Sequence, residues 1–260
     1  MKILIWDIET LPLALFQWSL HQDHNEHQNI IRESSIVCVS WMYAGMGKKP
    51  QSISILDDPG SYKKSVYTDR VIVDRMRDVI EESDILVAQN GDNFDLKILN
   101  WRSEQNGLKP LAIRQQVDTL KESRKVFRPP SHRLDYKGKA LGYGGKDKVD
   151  GQLWRDIALR EFGGSDAVCR TAIKKMLKYN RRDVTLLEEV YLRERAWYKK
   201  HPNRILYDPI AKACPVCGGK QIMKHGIRHL LSRSYQNYKC SSCGKQFRST
   251  QSLPVKADFK

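Results

Sequence analysis

The chain has 260 residues and a formal charge of +15, from 45 Lys and Arg against 30 Asp and Glu. That is room for one well-cored domain plus a smaller module, and a charge that suits a polyanionic partner, most simply nucleic acid. No apolar run reaches the roughly 18 residues of a transmembrane helix, and the acids Asp7 and Glu9 inside the first apolar stretch argue against a signal peptide, so a soluble, intracellular (cytoplasmic) protein is expected.

The first element is an apolar strand, Ile3 to Leu11, broken by Asp7 and Glu9. Side chains alternate along a strand, so these two acids share one face while Trp6 and Ile8 take the other. Adjacent carboxylates repel unless a cation lies between them, and hard ions such as Mg²⁺ favour such an oxygen pair. Residues 11–35 are polar and irregular, and His21, His24 and His27 read better as a solvated loop over the site than as a metal tract. Ile36 to Trp41 and Ile53 to Leu56 read as two more strands, with Gly45, Gly47, Pro50 and the Asp57-Asp58-Pro59-Gly60 cluster as turns. Asp69 to Ser83 carries a helical stripe of Ile72, Met76, Val79 and Ile80. Ile85 to Ala88 is then a short buried strand leading into Gln89-Asn90-Gly91-Asp92-Asn93-Phe94-Asp95. Leu96, Ile98, Leu99 and Trp101 begin a helix that Gly107 and Pro110 end. Strand, helix, strand, helix predicts parallel pairing in an α/β sheet.

Residues 121–148 are basic (Lys121, Arg124, Lys125, Arg128, Arg133, Lys137, Lys139, Lys146, Lys148), with Phe127, Tyr136 and Tyr143 interleaved. The mixture suits a single strand as well as it suits a solvated surface with a few core aromatics. Gln152 to Phe162 is a short helix, and Ser165 or Asp166 caps a long helical region running to about Tyr198. From Lys199 onward 13 Lys and Arg face only Asp208 and Asp258, so this segment carries +11 and residues 1–198 carry +4.

Three acidic stations stand at element boundaries: Asp7 with Glu9, then Asp95, then Asp183, which lies four residues after Tyr179 and on the same helix face. Asp92 competes with Asp95 for the second station. Four converging carboxylates could hold two divalent ions roughly 3.5–4 Å apart, a pair that clamps a scissile phosphate.

The order Asp-Ile-Glu-Thr, Asn-x-x-x-Phe-Asp and Tyr-x-x-x-Asp resembles the three motifs of the DEDD superfamily of 3′–5′ exonucleases, in its tyrosine branch, which includes the proofreading domains of DNA polymerases. The motif residues are Asp7 with Glu9, Asn90 with Phe94 and Asp95, and Tyr179 with Asp183. Val117-Asp118-Thr119-Leu120 and Leu134-Asp135 are similar to more distant members. The resemblance covers about residues 1–198. It implies an α/β, ribonuclease-H-like mixed sheet flanked by helices, opening with an antiparallel meander. It also implies that Asp7, Glu9, Asp95 and Asp183 ligate two Mg²⁺ or Mn²⁺ and that Tyr179 orients the attacking water. Thr10, Asn90, Phe94, Lys121, Arg124 and Lys125 are then the expected substrate contacts.

Cys214-Pro215-Val216-Cys217 and Cys240-Ser241-Ser242-Cys243 are two metal knuckles whose four thiolates suit one structural Zn²⁺. His225 and His229 lie between them as substitute ligands. The segment is similar to zinc ribbons of transposases and other DNA-binding proteins. Cys38 and Cys169 fall outside the pattern and read as buried small apolar residues. The expected organisation is a ribonuclease-H-like exonuclease domain over residues 1–200, a zinc-ribbon nucleic-acid-binding module over 208–252 and a tail over 253–260.

The expected function is a stand-alone two-metal-ion 3′–5′ exonuclease releasing nucleoside monophosphates from nucleic acid, DNA favoured over RNA, with no membrane partner. Three alternatives are an RNA-directed or structure-specific endonuclease on the same fold, a transposase-type strand transferase, and a non-catalytic nucleic-acid-binding protein with a nuclease fold.

Overall fold

The computed structural model describes residues 1–19, 26–112, 114–147, 149–207 and 212–254; His21, His24, Lys148, Asp208 and the end of the expected tail from Val255 lie outside them. In chain order the elements are β1 (Ile3–Thr10), β2 (Ala14–Leu15), β3 (Ile30–Arg32), β4 (Ile36–Tyr43), β5 (Gln51–Ser54), α1 (Pro59–Lys64), α2 (Arg70–Glu81), β6 (Ile85–Ala88), α3 (Asp95–Gln105), β7 (Gln115–Asp118), α4 (Thr119–Arg124), α5 (Leu134–Ala140), α6 (Gln152–Leu159) and α7 (Asp166–Glu194). The C-terminal part adds β8 (Ile222–His229), β9 (Ser234–Cys240) and β10 (Gln246–Arg248).

The main sheet has the order β5-β4-β1-β6-β7. β5, β4 and β1 run antiparallel, and β1, β6 and β7 run parallel. This is the expected mixed α/β sheet, with the meander first and the parallel strands after it. β1 is central, and its period of two feeds both layers. Leu4, Trp6 and Ile8 pack with Ile72, Val73, Met76, Val79 and Ile80 of α2. Ile3 and Ile5 pack with Val184, Leu187, Val190 and Tyr191 of α7. Fully buried side chains of this size stabilise the fold by about 1.5–3 kcal/mol each, so the strand that carries the acids is anchored in both layers of the core.

Several boundaries differ from the sequence reading. β5 ends at Ser54 rather than running on to Leu56, because the Ser54 hydroxyl accepts from Leu56 N–H and Asp57 Oδ2 accepts from Ser54 N–H at 2.8 Å, a capping box that winds Ile55–Asp57 into a turn. The Asp58-Pro59-Gly60 cluster starts α1 instead of only turning the chain: Asp58 Oδ1 caps Ser61 N–H at 3.1 Å, and Pro59 takes the first helical position, where its missing N–H is not needed. β2 and β3 form a small hairpin in the stretch expected to be irregular. His27 opens an exposed turn there. α7 is one unbroken helix of 29 residues from its Ser165 cap, and it stops at Glu194.

β8, β9 and β10 form a separate three-stranded antiparallel sheet. Hydrogen bonds join it to the rest: Lys245 Nζ donates to Tyr198 O at 2.7 Å, and Arg204 N–H donates to Pro215 O at 2.8 Å. Among the described residues no helix is long and apolar enough to cross a membrane.

Candidate metal centres

The first centre is built where β1 outruns its parallel neighbour. β6 pairs with β1 only across Ile3, Leu4 and Ile5, so the β6-facing edge of β1 beyond that point has no strand beside it. The Ile8 N–H on that edge donates to Asp95 Oδ1 at 3.1 Å. Asp95 is the first residue of α3, where unpaired helical N–H groups favour a carboxylate. The turn that delivers it is tight. Asn90 has φ +67°, and a Cβ on Gly91 would lie 2.5 Å from Ala88 Cβ, so only glycine lets the chain fold back against the end of β6.

Asp7 and Glu9 emerge on one face of β1, opposite Ser40 and Cys38 of β4, with a register shift between Glu9 and Thr10 that bends the strand at the site. α7 lies across this face. The Asn180 amide donates to Asp7 Oδ2 at 2.7 Å and to Asp7 O at 3.3 Å, which fixes both the carboxylate and the strand. One turn further on, Asp183 faces the pair, and ligand oxygens of Asp7, Glu9 and Asp183 all lie within 4.8 Å of one another. Asp95 is not in that tight group. It stands behind it, close enough for its charge to act on Asp7.

Lys146 is the cation of the cluster. Its Nζ donates to Asp183 Oδ2 at 2.5 Å and to Tyr179 Oη at 3.2 Å, and it sits 5.3 Å from the Tyr179 ring centroid. The loop that carries it is pinned by Asp135 Oδ1, which accepts from Lys146 N–H at 2.8 Å, and by Arg182 Nη2, which donates to Tyr143 O at 2.7 Å. Trp154 holds the Tyr179 ring edge to face at 6.5 Å.

One ammonium does not balance these acids. Burial, then the charges of Asp95, Glu9 and Asp183, hold Asp7 well above the ordinary carboxylate range. Burial and Asp183 push Glu9 up to about 8. Burial pushes Asp95 up to about 7, against the Ile8 hydrogen bond, and burial raises Asp183 despite Lys146. For Lys146 burial works the other way, but the Asp183 charge and hydrogen bond outweigh it and keep the ammonium above its usual range. Burial and the Asp183 charge likewise raise Tyr179, which stays a neutral phenol. Asp183 Oδ1 is buried with no hydrogen-bond partner. A hard-oxygen donor set with excess negative charge and an unpartnered buried oxygen fits a divalent cation.

The other expected residues are dispersed around this centre. Asn90 binds by its backbone, its N–H donating to Asp118 Oδ1 at 3.1 Å, and Asp118 also caps α4. Phe94 is 40% exposed at the start of α3, and Thr10 is half-buried beside the bulge. Lys121 pairs with Asp92 at 2.7 Å, which takes Asp92 out of the cluster, and Lys125 pairs with Glu122. Arg124 lines the cleft into which Lys146 also points. Two residues of the centre escaped the sequence reading. Lys146 was visible only as one of a basic run. Asn180 carried a usable signal, since it lies three residues before Asp183 on a helix and so beside it.

The second centre is simpler. The four Sγ atoms of Cys214, Cys217, Cys240 and Cys243 lie within 4.8 Å of one another, with Cys214–Cys243 at 3.7 Å and Cys217–Cys240 at 3.6 Å. Disulfide sulfurs would sit about 2 Å apart, whereas tetrahedral Zn–S bonds of about 2.3 Å separate sulfurs by about 3.8 Å. The geometry is compatible with a zinc ribbon. Both knuckles close alike: Gly218 N–H reaches Cys214 O and Gly244 N–H reaches Cys240 O, each at 2.9 Å and each glycine at positive φ. His225 and His229 are on exposed β8, where His229 Nδ1 pairs with Ser234 Oγ at 2.8 Å, and neither joins the thiolates. Cys38 and Cys169 are fully buried, as expected of apolar packing.

No protein-family model matches this chain, and a comparison with curated proteins finds no similar sequence. Among solved structures it is similar to the family B DNA polymerase from the hyperthermophilic archaeon Pyrobaculum calidifontis, with 14% identity and a TM-score of 0.49, covering 75% of this chain and 26% of that chain. The chain thus spans about a quarter of that polymerase.

Proposed function

We propose that the chain is a metal-dependent 3′–5′ exonuclease that releases nucleoside monophosphates from the 3′ end of nucleic acid, DNA ahead of RNA. Residues 1–200 would be the catalytic unit, residues 208–252 a zinc ribbon that grips the substrate, and residues 253–260 a tail. One observation carries the reading: the carboxylates of Asp7 and Glu9 from β1 and Asp183 from α7 meet within 4.8 Å in a partly buried cluster with excess negative charge. The three-motif resemblance assigns the roles.

Asp7, Glu9, Asp95 and Asp183 would hold two Mg²⁺ or Mn²⁺, and Cys214, Cys217, Cys240 and Cys243 one Zn²⁺. Bound Mg²⁺ or Mn²⁺ supplies Lewis-acid polarisation of the phosphate and acidifies a water. The chain's own groups position the reactants. The neutral Tyr179 phenol orients the attacking water by a hydrogen bond, being too weak an acid to serve as the base. Asn180 holds the Asp7 carboxylate in place. Lys146 offers a fixed positive charge to the phosphate. The water oxygen bonds to phosphorus as the bond to the 3′ oxygen of the penultimate nucleotide breaks. The water gives up a proton and the leaving oxygen gains one, so the products are a nucleoside 5′-monophosphate and a shortened strand with a free 3′ hydroxyl.

The test is digestion of 5′-labelled single- and double-stranded DNA and RNA with Mg²⁺ or Mn²⁺. A ladder shortening from the 3′ end, abolished by chelator, is expected. A single internal product, or no cleavage with either ion, would overturn the proposal.

A further inference from the structure

Two clefts flank the segment from Phe127 to Arg133. The first, about 560 Å³, is lined by Gln89, Leu120, Arg124, His132, Arg133 and Lys146 among others. Lys146 ties it to the carboxylate cluster through Asp183. The second, about 400 Å³, opens on the other side of Pro129 and Pro130 and is lined by Phe127, Arg128, Tyr136, Arg193 and Trp197 among others. α4 and α5 contribute to both, Leu120 and Leu134 in the first and Ser123 and Tyr136 in the second, and the two clefts adjoin at Pro129 and Pro130, one proline lining each.

The second cleft has unused chemistry. Within it the Lys137 ammonium and Glu194 carboxylate pair at 2.5 Å, both buried, so they cancel. Arg128 and Arg193 at its wall are exposed, and no carboxylate pairs with either among the described residues; the same holds for Arg124 and Arg133 in the first cleft. Trp197 is 66% exposed, an unusual state for so large an apolar ring, and its centroid lies 5.8 Å from that of Phe127. An occupant that meets all of these groups has flat π faces and regularly spaced negative charges. A nucleic-acid strand with unpaired bases has both, since base–aromatic stacking and arginine–phosphate contacts are the two elements of single-strand grooves.

We propose that the second cleft is a distal subsite for single-stranded nucleic acid, in which one base stacks on Trp197 while Arg128 and Arg193 meet phosphates. The strand then crosses Pro129 and Pro130 into the first cleft and delivers its end to the carboxylates. The exonuclease reading is used only for that last step, so the subsite can be tested by binding alone.

The test uses the full chain with Asp7→Asn, so that no substrate is consumed, and a fluorescent oligothymidylate of about 12 nucleotides, within the site sizes usual for such grooves. Anisotropy should show Trp197→Ala binding about 5- to 160-fold more weakly, the range for losing one stacked base, with Trp197→Phe recovering part of the loss. Arg193→Ala should lower the slope of log affinity against log salt by about one phosphate contact. A blunt duplex of the same length should bind more weakly than the single strand. Unchanged affinity in both Trp197→Ala and Arg193→Ala, or equal binding of duplex, would overturn the subsite. Trp197-dependent binding without any cleavage by the unsubstituted chain would overturn the exonuclease reading and leave the subsite standing; cleavage with affinity unchanged in both Trp197→Ala and Arg193→Ala would do the reverse.

Discussion

Asp7, Glu9 and Asp183 come from a central strand and a long helix that are remote in sequence, and a large apolar core brings them together. Cys214, Cys217, Cys240 and Cys243 come from two tight turns, and the small core around them consists of little beyond the cysteines themselves with Val216 and Phe247. In the first region the fold exists for other reasons and the acids are forced together at a cost, as their raised pKa values record. In the second the ligands are most of the core, so the ion would be the main source of stability. Closely spaced ligand pairs therefore serve opposite ends: an ion would relieve repulsion in a site the fold has already built, whereas in the other it would hold the site together.

The largest way to break this contrast is at the thiolates. Cys240→Ser should remove one zinc per chain and on the order of 10 kcal/mol of folding free energy from the ribbon. Elemental analysis and proteolysis should show a digested C-terminal segment beside a resistant α/β unit, and a ribbon that stays protected without metal would contradict the assignment. Next comes Asp7→Asn. It should lower hydrolysis by about a thousandfold or more, yet leave the melting temperature equal or higher, because it removes a buried charge from a repelling group. A variant that loses activity by unfolding would mean that the carboxylate is structural. The smallest effect is a pH trend. Glu9 and Asp95 hold protons in the folded chain up to about 8 and about 7, against ordinary values of 4.5 and 3.8. Between those limits the folded state binds more protons than the unfolded one, so stability falls as pH rises from about 5 to about 8. Thermal melts of the α/β unit without added Mg²⁺ or Mn²⁺ should follow that slope, and added Mn²⁺ should flatten it. A level profile without the ion would show that the protein already neutralises its acids.

The contrast also explains what was legible in the sequence. The thiolate site could be read almost whole, because both knuckles are local and each needs only four residues and a glycine. β1, β4, β6, α2 and α3 were legible from periodicity, and Asp7 with Glu9 from strand alternation. The part that depends on long-range packing was not. The approach of Lys146 to Asp183 depends on Asp135 and Arg182 holding its loop, and nothing near Lys146 distinguishes it from its basic neighbours. β7 escaped notice because Gln115 and Gln116 are exposed and only Val117 and Asp118 are buried, so the strand shows no apolar run. The end of β5 was misplaced because Ile55 and Leu56 look like strand residues, while the Ser54 and Asp57 side chains decide the backbone there.

The short pairing of β6 with β1 has a further consequence. Two parallel strands of equal length would seal each other's edges and leave no amide for Asp95 to bind. The overhang of β1 is thus a length difference that creates a vacancy in the ladder, and the tip of α3 fills it. Were β6 longer by one further ladder step, the Ile8 amide would be claimed by backbone and α3 would start too late to bring its carboxylate home. The location of this centre is in that sense a matter of counting residues between Ile85 and Asp95, a constraint on spacing that insertions would violate even if every acid were kept.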